Sequence, residues 1–200
     1  MRRALLAFPL SALVLVTAGC PHTQPRFNYA SEADPRKTEF IIGPSDTLKV
    51  TIWKNPDLSG DTTVRPDGVI TLPLLGDFHA AGKTAAELRA EIRTRLATFV
   101  KDDSALVTVA ITGINSYRVT VSGNVEHPGT YAVNHYINVA EALMLAGGVN
   151  KFGTPEDGVL IRVGADGATR RIPVDCAAIL SGARQEQNLT ILTGDTIYVP

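Results

Sequence analysis

Residues 43–53, GPSDTLKVTIW, contain a turn and a strand that together indicate the kind of fold. The first four residues, Gly43 to Asp46, are all of types that favour turns. Apolar and polar residues then alternate with a period of two, and the apolar set is Leu48, Val50 and Ile52. This alternation predicts a strand with one buried face.

Residues 39–112 continue this strand into a small mixed unit. Residues 65–68, RPDG, are a strong turn signal and precede an apolar run at residues 69–75 that predicts a second strand. Thr84 and Glu87 form a capping-box pattern at the start of an amphipathic helix. The apolar positions of this helix are Leu88, Ile92, Leu96 and Phe99. A further strand is predicted at residues 106–111, which makes the unit α+β.

Residues 117–200 predict a second α+β unit. Strands are expected at 119–122, 131–133, 159–163 and 169–174, and the C-terminal segments 189–192 and 197–199 have the same character. Asn138 is the expected N-cap of a helix over residues 139–145, and Gly147 and Gly148 end that helix. A short helical turn is expected at 175–180. The predicted fold class is therefore α+β, with two small mixed units.

The charge balance argues against several classes of protein. The chain has 19 basic and 20 acidic residues, and 44% of its residues are hydrophobic. Without the first 19 residues, 17 basic and 20 acidic residues remain, a net charge of −3. This balance provides no basic surface for nucleic acid. Two cysteines are too few for a disulfide scaffold.

Residues 1–19 have the pattern of a secretory signal peptide. Arg2 and Arg3 precede an apolar run of 16 residues, which is too short for a typical membrane span. The run ends in TAGC, which resembles the bacterial lipobox although Thr17 stands where Leu is preferred. Cys20 is therefore the predicted lipidation site; the alternative is a secreted protein with a cysteine near its cleavage site. Pro21 replaces the Asp of inner-membrane retention, which favours an anchor at the periplasmic face of the outer membrane.

Residues 20–38 contain three prolines among polar residues and show no apolar periodicity. The composition predicts an extended tether between the lipid and the folded part.

Catalytic motifs are missing from the sequence, so we expect no enzyme, no cofactor and no metal site. The four histidines, His22, His79, His127 and His135, lack the spacing of metal ligands. Cys176, between Asp175 and two alanines, is expected to be a buried apolar residue rather than a nucleophile. The pair Asp102 and Asp103 is expected at a solvated helix end.

Two aromatic residues, Trp53 and Phe78, allow two interpretations. Their rings could form a platform on which sugar rings stack, or they could belong to the core. A second open point is an internal similarity between residues 43–50 and 192–199, in which a turn containing Asp leads into a strand. A shared turn-to-strand device is favoured over a true duplication.

The order of these motifs resembles the outer-membrane polysaccharide export family of the Wza/GumB type. The similarity in the first unit lies in residues 40–50, 64–76 and 82–88. The second unit resembles the SLBB domain of that family, a β-grasp domain, in residues 121–125, 127–131, 139–148 and 194–200. The similarity covers nearly all of residues 39–200 and involves scaffold positions, so it carries over a fold and no catalytic residue.

The resemblance implies a homo-oligomeric ring through which a capsular or exopolysaccharide leaves the cell. It further implies an inner-membrane copolymerase as a partner that supplies energy. Such a conduit is expected to bind its polymer weakly at many polar positions. The charged residues Glu126, Asp157 and Arg162 are candidates for the lumen because they are expected to be exposed.

Larger members continue past the motif that ends at Pro200 into a helix that lines the outer-membrane pore. The expectation for this chain is a short form that relies on a separate outer-membrane barrel protein. The alternative is a lipid-anchored accessory module that binds polysaccharide or the export machinery without forming a channel. A third possibility, an enzyme acting on polysaccharide, is disfavoured because no pair of carboxylates has suitable spacing.

Overall fold

The structure is a computed structural model that describes residues 27–99, 106–164 and 167–200. The predicted signal peptide at 1–19, the predicted lipidation site Cys20, His22 and the Asp102–Asp103 pair lie outside the described residues. Within them, the expected α+β fold with two small mixed units is confirmed.

The first unit is built around an antiparallel sheet of three strands in the order β2-β1-β5. A separate hairpin, β3 and β4, and one helix, α1, complete it. In chain order the elements are β1 (Thr47–Ile52), β2 (Gly60–Thr63), β3 (Val69–Leu72), β4 (Gly76–His79), α1 (Ala85–Leu96) and β5 (Val107–Gly113).

Strand β1 follows the predicted alternation, and Leu48, Val50 and Ile52 are fully buried. Helix α1 begins with the predicted capping box, in which the Thr84 hydroxyl accepts from the Glu87 N–H at 3.2 Å. Its residues Leu88, Ile92 and Leu96 join the core around β1. The predicted fourth core position is wrong, because the helix ends at Leu96 and the side chain of Phe99 is 63% exposed.

The apolar run at residues 69–75 predicted one strand, whereas the structure has a hairpin. Pro73 cannot donate to a sheet, and Leu74 adopts a positive φ of 60° that turns the chain into β4. Strand β2 has the sequence GDTT, which contains no large apolar residue, and its pairing with β1 was not predicted.

The second unit has a sheet of five strands in the order β7-β6-β10-β8-β9. The C-terminal strand β10 lies in the middle, parallel to β6, whereas every other pairing is antiparallel. The elements are β6 (Arg118–Gly123), β7 (Gly129–Ala132), α2 (Val139–Leu145), β8 (Gly158–Val163), β9 (Thr169–Val174), α3 (Cys176–Leu180) and β10 (Thr196–Val199).

The core of the second unit joins the sheet to both helices. Val121, Leu160 and Ile197 from three central strands are fully buried, together with Leu143 of α2 and Ile179 of α3. The expected strand at 189–192 is wrong: this segment makes only an isolated bridge between Thr190 and Asn138. No described helix has the length and apolar character needed to span a membrane.

Candidate functional site

A buried cluster of charges joins the segment before the first unit to the second unit. Arg162 of β8 donates from Nη2 to Asp195 Oδ2 at 2.7 Å and from Nη1 to Glu32 Oε2 at 2.9 Å. The three side chains are at most 3% exposed. Arg170 of β9, half exposed, also contacts Glu32 Oε2 at 2.7 Å. Two carboxylates therefore face two guanidinium groups, and the cluster is neutral overall.

Burial disfavours the charge on Arg162, but its hydrogen bonds to Asp195 and the charges of Asp195 and Glu32 outweigh this effect and raise the pKa of the guanidinium. Arg162 therefore stays charged. The expectation that Arg162 is an exposed lumen residue is wrong, because its partners come from distant parts of the chain. Glu126 and Asp157 are exposed, as expected.

Residues 27–32, which belong to the expected tether, are packed against the second unit. Tyr29 Oη donates to the Pro173 carbonyl at 2.8 Å, and burial raises the pKa of this phenol. The rings of Phe27 and Tyr29 lie 5.0 Å apart and pack against the second core. The expectation of a free tether is thus wrong for residues 27–32. The signal that could have indicated this is the pair of aromatic residues followed by an acidic one.

A second buried carboxylate, Asp46, lies at the junction of the two units. Its oxygens accept from the Gly43 N–H, the Asn115 N–H, and both the N–H and hydroxyl of Ser116, each at 2.8 Å. Gly43 is required here, because a Cβ would lie 2.4 Å from the Cβ of Ser116. The turn before β1 therefore holds Asn115 and Ser116, two of the four residues that connect β5 to β6.

Asp195 occupies the corresponding position before β10. Its Oδ2 accepts from the N–H three residues earlier, at Leu192, as Asp46 Oδ2 accepts from Gly43. The preceding residues, Ser45 and Gly194, both have positive φ, at 75° and 82°. The two similar segments therefore share one turn geometry.

The two aromatic residues considered for sugar stacking differ completely in exposure. Phe78 is 2% exposed, and the guanidinium of Arg95 lies 4.0 Å from its ring centroid, so the core interpretation holds for Phe78 and the stacking interpretation does not. Trp53 is 60% exposed and lines a shallow cleft of about 390 Å³ beside the ends of β1 and β2. Of these two aromatic residues, only Trp53 is available to a ligand.

Cys176 is fully buried at the start of α3, and burial raises the pKa of its thiol to about 11. Such a thiol is protonated at neutral pH and is a poor nucleophile. His79, His127 and His135 are exposed, and the described residues contain no cluster of potential ligands that could hold a metal ion.

The two units correspond to two known families. Residues 34–112 match the family described as polysaccharide biosynthesis/export protein, and residues 118–173 match the SLBB domain. The chain therefore belongs to the polysaccharide export protein family.

The chain is 29% identical over 188 residues to the EPS I polysaccharide export outer membrane protein EpsA of Ralstonia nicotianae, covering 82% of this chain and 48% of that protein. It is 34% identical over 130 residues to the exopolysaccharide production protein ExoF of Rhizobium meliloti, covering 58% and 30%. It is 27% identical over 125 residues to the polysialic acid transport protein KpsD of Escherichia coli, covering 62% and 22%. The chain thus spans less than half the length of these relatives.

Proposed function

We propose that this protein is a lipid-anchored component of a polysaccharide export system at the periplasmic face of the outer membrane, where it forms an oligomeric ring around the exported polymer. The observation that carries the proposal is the order of an export domain and an SLBB domain in one chain. The names of its relatives describe export or production of polysaccharide rather than an enzymatic reaction.

The packing of residues 27–32 supports a defined position for the anchor. Cys20 is the proposed lipidation site, and Phe27 follows it after six intervening residues, a distance of seven residue steps. A fully extended chain of this length spans at most about 25 Å. Because Glu32 and Tyr29 are held on the second unit, that unit lies within about 25 Å of the lipid-bearing end. The SLBB domain then lies close to the membrane.

Transport through a ring requires weak contacts, because a polymer that binds tightly does not move on. The exposed charged side chains of Glu126 and Asp157 suit such contacts. Energy comes from polymer synthesis and from an inner-membrane copolymerase, the proposed partner.

Deletion of the gene in its native host, followed by complementation, tests the proposal. We expect deletion to abolish surface polysaccharide, measured as extracellular uronic acid and neutral sugar, and the wild-type gene to restore it. The Cys20→Ala variant should fail to restore export and should leave the membrane fraction. The Cys176→Ala variant is the matched control. Because Cys176 is buried, this variant protein should remain in the membrane fraction. Unchanged polysaccharide after deletion would overturn the proposal.

A further inference from the structure

The outer face of the β2-β1-β5 sheet is open to solvent, although its inner face is covered by the first core. The register places Lys49 of β1 opposite Asp61 of β2, and Thr51 of β1 opposite Thr108 of β5. All of the following side chains on this face are exposed: Lys49, Thr51, Trp53, Asp61, Thr63, Leu106, Thr108, Ala110 and Thr112. The face therefore combines hydroxyl, ammonium and carboxylate groups with one large aromatic ring.

Trp53 lies at the end of this face and its position is fixed by the backbone. The backbone N–H of Trp53 donates to the Leu106 carbonyl at 2.9 Å, which extends the pairing of β1 and β5 by one residue. Asn55 Nδ2 donates to the Trp53 carbonyl at 3.0 Å. The indole thus stands on an ordered strand end beside a cleft of about 390 Å³, and 60% of the residue is exposed. A volume of this size admits a small ligand.

The polar groups around the indole are available for new hydrogen bonds. Lys49, Lys54 and Asp61 line the same cleft as Trp53. None of the three forms an ion pair with another described residue. Two ammonium donors and one carboxylate acceptor therefore flank an apolar ring face.

We propose that this cleft binds a sugar ring of the exported polysaccharide. The C–H face of a pyranose stacks on the Trp53 indole, while Lys49, Lys54 and Asp61 bind the sugar hydroxyls around its rim. The aromatic face carries negative charge density and attracts C–H groups, and the rim groups match the alternating donors and acceptors of a sugar. This inference rests on the proposed function and names the place where the polymer touches the chain.

The chemistry of the cleft favours a glycan over a second copy of the chain. Lysine and aspartate are depleted in the cores of protein–protein interfaces, whereas this indole is surrounded by them. A single ring on a shallow surface gives weak binding, which is the kind of contact that transport requires.

The protein contains one tryptophan, so its fluorescence reports on this cleft alone. The experiment uses the mature full chain in detergent, with cellohexaose as a neutral probe and a galacturonate hexamer as an acidic probe. We expect at least one probe to protect Trp53 from quenching by acrylamide, with a dissociation constant of about 1 mM. Frontal affinity chromatography on the immobilised protein then gives the same constant without using fluorescence.

In that second measurement, Trp53→Ala should raise the dissociation constant at least about tenfold, and Trp53→Phe should raise it less. The matched control is Phe152→Ala, which removes another exposed aromatic ring beside a lysine, Lys151, in the second unit. This variant should bind as the wild type does. Equal binding by Trp53→Ala and Phe152→Ala would overturn the inference, as would no protection by either probe. Protection that rises with protein concentration without glycan would assign the cleft to a second copy and also overturn it.

The outcome is distinguishable from failure of the proposed function. If gene deletion abolishes export while neither glycan protects Trp53 from quenching, the proposed binding site is wrong and the export function stands. If deletion leaves export unchanged, the proposed function is wrong whatever the glycans do.

Discussion

At the scale of single residues, the fold depends on close backbone contacts at the ends of strands. Gly123 ends β6, and a Cβ at this position would lie 2.0 Å from the carbonyl oxygen of Val199 in the neighbouring strand β10. No side-chain rotation relieves such a clash, because the Cβ position is fixed by the backbone of β6 and the oxygen belongs to the backbone of β10. Gly123 also has a φ of 87°, which disfavours any other residue.

We predict that Gly123→Ala lowers the free energy of unfolding by more than about 4 kcal/mol, at the upper end for single substitutions. Gly148→Ala is the matched control, since Gly148 has the same φ of 87° but no atom within 4 Å of the added Cβ. In that variant the free energy of unfolding should fall by only about 1–2 kcal/mol, because of the strained backbone conformation. Urea unfolding measures both, and equal losses would show that the approach to Val199 is unimportant.

The burial of two residues, Arg162 and Phe78, could not be predicted from the sequence. Arg162 was predicted to be exposed from its charge, yet its partners Glu32 and Asp195 lie 130 and 33 residues away in the chain. No local pattern contains that information. Phe78 was equally ambiguous, because isolated aromatic residues occur both in cores and in binding sites, and its burial in the first core decides between them.

At the scale of elements, strong local sequence patterns were sufficient to predict a strand and a helix of the first unit. Strand β1 was predicted from strict alternation, and helix α1 from its capping box and apolar spacing, since both patterns arise within one element. Strand β2 was missed because its stability comes from pairing with β1 rather than from its own residues. The central position of β10, parallel to β6, is a property of topology that the sequence pattern does not contain.

The segment at residues 27–32 is the element whose behaviour is most open to test. We predict that Glu32→Gln lowers the free energy of unfolding by about 1–3 kcal/mol, because the buried guanidinium of Arg162 loses one of its two charged partners. The amide hydrogens of Ser31 and Glu32, which bond within this segment, should exchange faster as it detaches. Urea unfolding and hydrogen exchange measure the two effects.

Asp34→Asn is the matched control, since it removes the same charge two residues beyond this segment. Among the described residues Asp34 pairs only with the exposed Arg36, and exposed pairs contribute little. We expect no measurable change in unfolding or exchange. If Glu32→Gln behaved like Asp34→Asn, the buried cluster would not hold the segment.

At the scale of the whole molecule, the two units are joined by contacts that limit their relative movement. Asp46 of the first unit binds the connecting residues Asn115 and Ser116. The Thr193 hydroxyl of the second unit donates to the Ser116 carbonyl at 2.8 Å. The rings of Phe40 and Tyr136 meet across the junction at 6.4 Å. A closed ring requires identical geometry in every subunit, and a defined junction meets that requirement.

The most direct test of the central claim is the mass of the mature protein after gentle detergent extraction, measured by light scattering with the detergent contribution subtracted. We expect a closed multimer of one defined stoichiometry, unchanged on dilution. A monomer at every protein concentration would contradict the ring and favour an accessory module that binds polysaccharide or the export machinery without forming a channel.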